Sequence, residues 1–181
     1  MKKELDSYLV AKYPKILINR YKDIKESSMG FGIQTNDGWF WLIDQLFNSI
    51  QHHIDSNEYR KKDEQVPQVV MNCVKEKFGI LDISCNNSDD YIEGMISLAE
   101  NMSINICEFC GSTKHVGRTS GWIYTICEKC YNKAIKDKNI RIASLPWKEN
   151  KSEFENNFKA IRKIKIDKLE IESESTNNKN I

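Results

Sequence analysis

The sequence predicts an α+β fold, in which amphipathic helices and a β-hairpin carry a small appended cysteine module. Three observations predict it. In "WFWLIDQLFNSIQHHI" and "SDDYIEGMISLAENMS" apolar residues recur at intervals of three and four, the repeat of a helix with one buried face. "VPQVVMNCVKEKFGILDISC" is rich in β-branched residues, alternates in part and is divided by Gly79, the pattern of two strands and a turn. "CEFCGSTKHVGRTSGWIYTICEKC", residues 107–130, sets a Cys-x-x-Cys pair at either end of a segment too polar and too glycine-rich to hold a core of its own.

The elements follow in chain order. "KELDSYLVAKYP" places Leu5, Tyr8, Leu9 and Lys12 at helical spacing and stops at Pro14, which disfavours helix in the residue before it. "SSMGFGIQTNDGW" holds three glycines and the run Asn36, Asp37, Gly38, which predicts a loop or tight hairpin turn. The next helix buries Trp39, Leu42, Ile43, Leu46, Phe47, Ile50 and Ile54, with Asp37 as candidate N-cap, so at most one of Trp39 and Trp41 faces outward. The polar run "DSNEYRKKDEQ" closes it. The hairpin turns around Lys77 to Gly79 and places Cys73 and Cys85 on its two arms, where free thiols are the expectation in a reducing compartment. A second amphipathic helix begins at Ser88, carries Tyr91, Ile92, Met95, Ile96, Leu98, Ala99 and Met102 on its apolar face, and leads straight into Cys107.

After Cys130, "YNKAIKDKN" predicts a short helix and "SLPWKEN" a break. Residues 151–172 begin with helical spacing and go over to alternation at "KIKIDKLEI", so helix and strand both stay open there, and "ESESTNNKNI" has the composition of a disordered end. The predicted organisation is a core over 1–106, a metal-binding module over 107–140, a C-terminal extension over 141–172 and a disordered tail over 173–181.

Composition narrows the function classes. With 181 residues, 40% hydrophobic and 29% charged, the chain has enough apolar side chains for one moderate core. No run approaches the length of a membrane span and no cleavable leader is indicated, so a cytoplasmic protein is expected. The net charge of +1 is uneven: residues 1–106 hold 12 Lys and Arg against 16 Asp and Glu, and residues 107–150 hold 8 against 4. The basic part is therefore the cysteine module. Four thiolates around zinc would carry a charge of about −2, which leaves that module only weakly basic and argues against a strong nucleic-acid footprint.

The cysteine spacing, two residues, then sixteen, then two, falls in the range of tetrahedral zinc sites. A Cys-x-x-Cys loop lets both thiolates reach one ion at about 2.3 Å, and Gly111 permits the tight backbone turn behind the first pair. The intervening residues fit a hairpin with Gly117 and Gly121 at turn or bulge positions and "WIYTI" as return strand, an arrangement like a zinc ribbon or treble clef. Cys107, Cys110, Cys127 and Cys130 are the expected ligands. Four cysteines close the coordination shell, whereas catalytic zinc keeps a position open, and a thioredoxin-type redox pair does not come twice at this interval. His115 fits a solvated loop position, and His52 with Asp55 fits a polar helix surface. No complete nuclease set is present: the doublet His52, His53 lies far upstream, and Glu76 beside Lys77 has the wrong spacing.

At "LDSYLVAKYPKIL", "NDGWFWLIDQL", "VKEKFGIL", "AENMS" and "CEFCG" through "GWIYTICEKC", over about residues 4–132, the chain resembles a group of uncharacterised proteins encoded by bacteriophages and prophages. In that group a helical and hairpin region precedes a Cys-x-x-Cys-Gly module that ends in Gly-Trp-Ile and a Cys-x-x-Cys or Cys-x-x-His pair. The chain departs from it at "LDISC", and the tail after 140 has no counterpart. The resemblance implies a small accessory protein acting on a host macromolecule or defence system. The function expected is thus a non-enzymatic, zinc-stabilised protein that binds a host protein, with Trp122, Trp147 and Trp41 as partner anchors. A nucleic-acid-binding protein would need a basic stripe through Lys114, Arg118, Lys129, Lys133, Lys136, Lys138 and Arg141. A sequestering protein or enzyme for a small nucleotide signal would need an aromatic pocket with a few Arg or Lys.

Overall fold

The computed structural model describes residues 1–57, 65–119 and 121–136. Trp147, the extension 141–172 and the tail 173–181 lie outside the described residues, as does most of the polar run after the second helix. Helix α1, Lys3–Lys12, ends where Tyr13 leaves helical geometry ahead of Pro14. It turns Asp6 and Leu9 inward, whereas Tyr8, expected on the apolar face, is exposed. The buried Asp6 is held by a forked bond from Arg20, at 2.8 Å from both Nε and Nη2 to Oδ2, and by the Ile33 amide at 3.1 Å, so this charge has its partners.

The segment expected as a loop or hairpin turn forms two 3₁₀ turns, Ser28–Phe31 and Asp37–Trp39, and the second runs directly into helix α2, Phe40–Ser56. Asp37 is not the N-cap. Its carboxylate takes the Lys2 amide at 2.8 Å and the Lys2 ammonium at 3.0 Å, because the chain enters α2 through that 3₁₀ turn rather than through an extended cap residue. The expected apolar face is buried: Trp39, Leu42, Ile43, Leu46, Phe47, Ile50 and Ile54 point into the core.

Strands β1, Val70–Lys77, and β2, Ile80–Asn86, form the expected antiparallel hairpin, with Phe78 and Gly79 both left-handed in its turn. The turn sets Cys73 opposite Ser84, and a bulge between Met71 and Cys73 then shifts the register so that Met71 faces Cys85. Cys85 therefore shares the core side with Met71, Cys73 lies on the other face, and both thiols are free. The backbone groups of β1 that point away from β2 meet Gln34 and Ile16, and those of β2 meet Ser103 and Glu100.

Helix α3, Asp90–Ser103, is capped by Asp89, which accepts from the Ile92 amide at 2.8 Å; the expected start, Ser88, bonds Glu93 instead. Ile92, Ile96, Ala99 and Ser103 are buried and Met95 half-buried, while Tyr91, Leu98 and Met102 are exposed. The seven apolar positions span more of the helix circumference than packing against α2 and β2 covers. A second antiparallel pair, β3 Val116–Arg118 and β4 Thr125–Cys127, leads into helix α4, Glu128–Lys136. Gly117 sits inside β3 opposite Ile126, and the return strand begins only at Thr125. All described residues belong to one compact unit, Met1–Leu145, and among them no helix is long and apolar enough to cross a membrane.

Candidate metal centre

The four cysteines expected as ligands come together: one sulfur from each of Cys107, Cys110, Cys127 and Cys130 lies within 4.8 Å of every other, and the Cys110 and Cys127 sulfurs are 3.6 Å apart. Four thiolates bound tetrahedrally at about 2.3 Å from one ion would stand about 3.8 Å from each other, so the cluster can hold a metal ion with little movement. Among the described residues they are the one such cluster of three or more Cys, His or acidic groups.

Each half of the cluster has a local cause. Behind the first pair the Gly111 amide donates to the Cys107 carbonyl at 2.8 Å and the Cys107 amide to the Ser112 carbonyl at 2.8 Å; Gly111 closes this knuckle at φ 74°, which a side chain would strain. The second pair sits where β4 passes into α4, with Cys127 closing the strand and Cys130 in the first helical turn, its amide 3.5 Å from the Cys127 sulfur. Cys107 and Cys127 are buried, Cys130 half-buried and Cys110 exposed.

Two of the four thiols, Cys107 and Cys130, resist ionisation. Burial pushes the Cys107 thiol up to about 11, against hydrogen bonds from neighbouring amides and with Cys127 adding to the rise. Cys130 is pushed up by burial and by its bond to Cys110. Cys110 is also opposed by burial, yet the Ser112 amide and the surrounding thiols hold it below the ordinary thiol range. A bound cation reverses this balance, since it favours every thiolate at once.

The knuckle is joined to the helical core by residues that spacing within the cysteine module does not reveal. Glu108, 2% exposed, donates its amide to the Thr125 carbonyl at 2.9 Å and accepts the Gly38 amide on its carbonyl at 2.7 Å. One oxygen of its side chain, Oε1, takes the Asn36 amide at 3.0 Å and the Asn36 side chain at 2.9 Å. Burial pushes this carboxyl up, the Asn36 amide opposes the rise, and Glu76 adds to it. The Trp39 indole donates to the Ile106 carbonyl at 2.8 Å. Gly38 is not left-handed; it is needed for space, since a Cβ there would lie 2.5 Å from the Gly111 nitrogen and 2.6 Å from the Glu108 carbonyl oxygen. The Asn36-Asp37-Gly38 run signals a turn in sequence, but nothing in it points to a partner seventy residues on.

The remaining site candidates stay apart from this centre. His115 is exposed with Nδ1 3.9 Å from Glu128, and His52 bonds Ser56 rather than gathering with Asp55. His53 instead pairs with Asp89 at 2.9 Å and stacks on Tyr91 at 4.5 Å, a contact between α2 and α3 absent from the sequence reading. Trp41 and Trp122 are 62% and 70% exposed, while Trp39 is fully buried. Comparisons with protein-family models, with curated proteins and with solved structures find no match to this chain.

Proposed function

We propose that the chain is a non-enzymatic, zinc-stabilised interaction protein of phage type, which binds and thereby inhibits a host protein such as a defence enzyme in the host cytoplasm. The observation that carries this reading is the closed set of four sulfurs, Cys107, Cys110, Cys127 and Cys130. Four soft thiolates within reach of one ion suit zinc, and four protein ligands leave no coordination position for a substrate, so the ion stabilises the module. Two tryptophans face outward: Trp122 in the module, beside β3 and β4, and Trp41 in the core, on α2. Exposed tryptophans are the side chains that most often anchor a protein partner. The likeness of residues 4–132 to phage and prophage proteins supports the origin.

Two observations weigh against the rival readings. Arg118, one member of the basic stripe that nucleic-acid binding would need, donates to the Phe78 carbonyl. The surface depression at Met1, Lys2, Asn36, Asp37 and Phe109 has one aromatic side chain and one lysine beside an aspartate, and the one at Lys15, Asp55 and Pro67 has no aromatic, so neither matches the aromatic pocket with a few Arg or Lys that a nucleotide site would need. The test is affinity capture from host lysate beside a DNA and RNA shift assay at about 150 mM salt. Trp122→Ala or Trp147→Ala should weaken capture by about 1 to 3 kcal/mol, and Lys133→Ala with Lys136→Ala should change it little. Tight nucleic-acid binding at that salt, abolished by the lysine pair, would overturn the reading.

A further inference from the structure

We infer that the cysteine centre is an oxidation-sensitive clasp entered at Cys110, where hydrogen peroxide joins Cys110 to Cys127 and so releases the metal; this rests on the zinc reading of the centre and adds the condition under which the ion is lost. The four sulfurs are unequally shielded. Cys107 and Cys127 are buried and Cys130 is half-buried, whereas Cys110 is exposed. With every ligand held as a thiolate, access decides which sulfur a small oxidant reaches first. A second cysteine is already beside it: the Cys127 sulfur lies 3.6 Å away, and a disulfide of about 2.05 Å needs a closure of about 1.5 Å. An accessible thiolate next to a resolving cysteine is the arrangement of peroxide-sensing pairs.

The chemistry balances over these two sulfurs. The Cys110 thiolate attacks one peroxide oxygen, the O–O bond breaks and hydroxide leaves, which gives a sulfenic acid at Cys110. The Cys127 thiolate then attacks the Cys110 sulfur, the S–S bond forms and a second hydroxide leaves. The two thiolates have together given up two electrons, and one molecule of peroxide has been reduced to two hydroxides. Cys107 and Cys130 alone do not complete a four-ligand shell, so the closed site is lost. The joins to the core contain no sulfur: Gly38 stays bonded to Glu108, and Trp39 to Ile106. The new disulfide also keeps the knuckle on the end of β4, where Cys127 lies, and only Cys130 on α4 stands beyond that link. The oxidised chain therefore stays assembled, and a thiol reductant returns it to the metal-binding form.

The experiment treats the purified full chain with hydrogen peroxide, follows zinc release with a metallochromic dye, and maps disulfides by mass spectrometry after the free thiols are trapped. Zinc release should run in step with formation of a Cys110–Cys127 disulfide, and dithiothreitol with added zinc should reverse both. Cys110→His keeps a ligand but has no oxidisable sulfur there, and should release zinc at least about tenfold more slowly. Cys73→Ser, outside the cluster, should release it as the parent does. Cys127→His should accumulate a sulfenic acid at Cys110 that dimedone captures. If Cys110→His does not retain zinc, the disulfide map of the parent decides. A chain that holds zinc and keeps it through peroxide treatment, or whose first disulfide is not between Cys110 and Cys127, would overturn the clasp and leave the zinc reading intact. A purified chain without zinc would overturn both.

Discussion

The amide of Gly38 donates to the carbonyl of Glu108 at 2.7 Å, so the turn that opens α2 and the knuckle that carries the first cysteine pair meet backbone to backbone. Nothing larger than hydrogen fits between them. The Trp39 indole makes a second join one residue later, at the Ile106 carbonyl. Strain applied to the cysteine centre is thereby delivered to the first turn of the longest helix in the core.

Gly38→Ala should consequently be costly. The added methyl would meet backbone atoms of Cys107, Glu108 and Gly111, which cannot swing aside like a side chain. A loss of about 3 kcal/mol in urea unfolding is expected, together with weaker metal retention. Gly94→Ala on α3, where the space around a Cβ is open, should instead stabilise by about 0.5 to 1 kcal/mol.

Purified protein should carry about one zinc per chain, lost in Cys107→Ser and kept in Cys73→Ser. Full zinc by metal analysis in a Cys107→Ser, Cys127→Ser double variant would contradict the ligand assignment. Structural zinc contributes on the order of 10 kcal/mol to a small module, so a chelator should unfold residues 107–136 and, through the lost Gly38–Glu108 bond, lower the urea midpoint of 1–106, whose helices keep most of their signal in the absence of urea because they bury their own apolar faces. Loss of all helical signal together would refute the proposed division at 106.

Trp39→Phe keeps an aromatic ring in the core but removes the donor to Ile106. The buried carbonyl is left without that bond, and a destabilisation of about 1 to 3 kcal/mol is expected in urea unfolding.

Asp89 links acid stability to the α2–α3 contact. Burial opposes its charge, but the bond to His53 and the Ile92 amide outweigh this and hold its carboxyl below the ordinary Asp range. A carboxyl lowered in the folded state contributes stability above the unfolded value, about 3.9, and loses it as pH falls through the folded value. Urea unfolding from pH 7 down to about 3 should therefore show a decline that is smaller in Asp89→Asn, which retains a capping oxygen without the charge. Asp89→Ala should lose about 1 kcal/mol at neutral pH through the cap alone. Equal acid slopes for parent and Asp89→Asn would refute the linkage.

Much of this was legible because it is periodic or local. The apolar repeat of α2, the Gly79 turn and the paired Cys-x-x-Cys spacing each encode their own geometry within a few residues. The misplaced features depend on distant partners. Asp37 looks like a cap but is engaged by Lys2, and Tyr91, Leu98 and Met102 repeat helically yet face out, because the neighbours that decide which apolar stripe is covered come from elsewhere in the chain. The two-residue turn at Phe78 and Gly79 already places Cys73 opposite Ser84 and so apart from Cys85; what the bulge after Met71 adds, and no alternation pattern reveals, is that Met71 rather than Asn72 faces Cys85.

The outward backbone groups of the β1–β2 hairpin have a consequence for how other chains can approach. Val74 and Glu76 are engaged by Gln34, Met71 by Ile16, Leu81 by Ser103 and Ile83 by Glu100. An incoming strand could extend this sheet only by first displacing those residues, so the hairpin is a poor template for β-augmentation or for stacking copies of the chain into fibres. Recognition through this part of the molecule is left to side chains, and a partner would be selected by chemistry rather than by generic main-chain pairing.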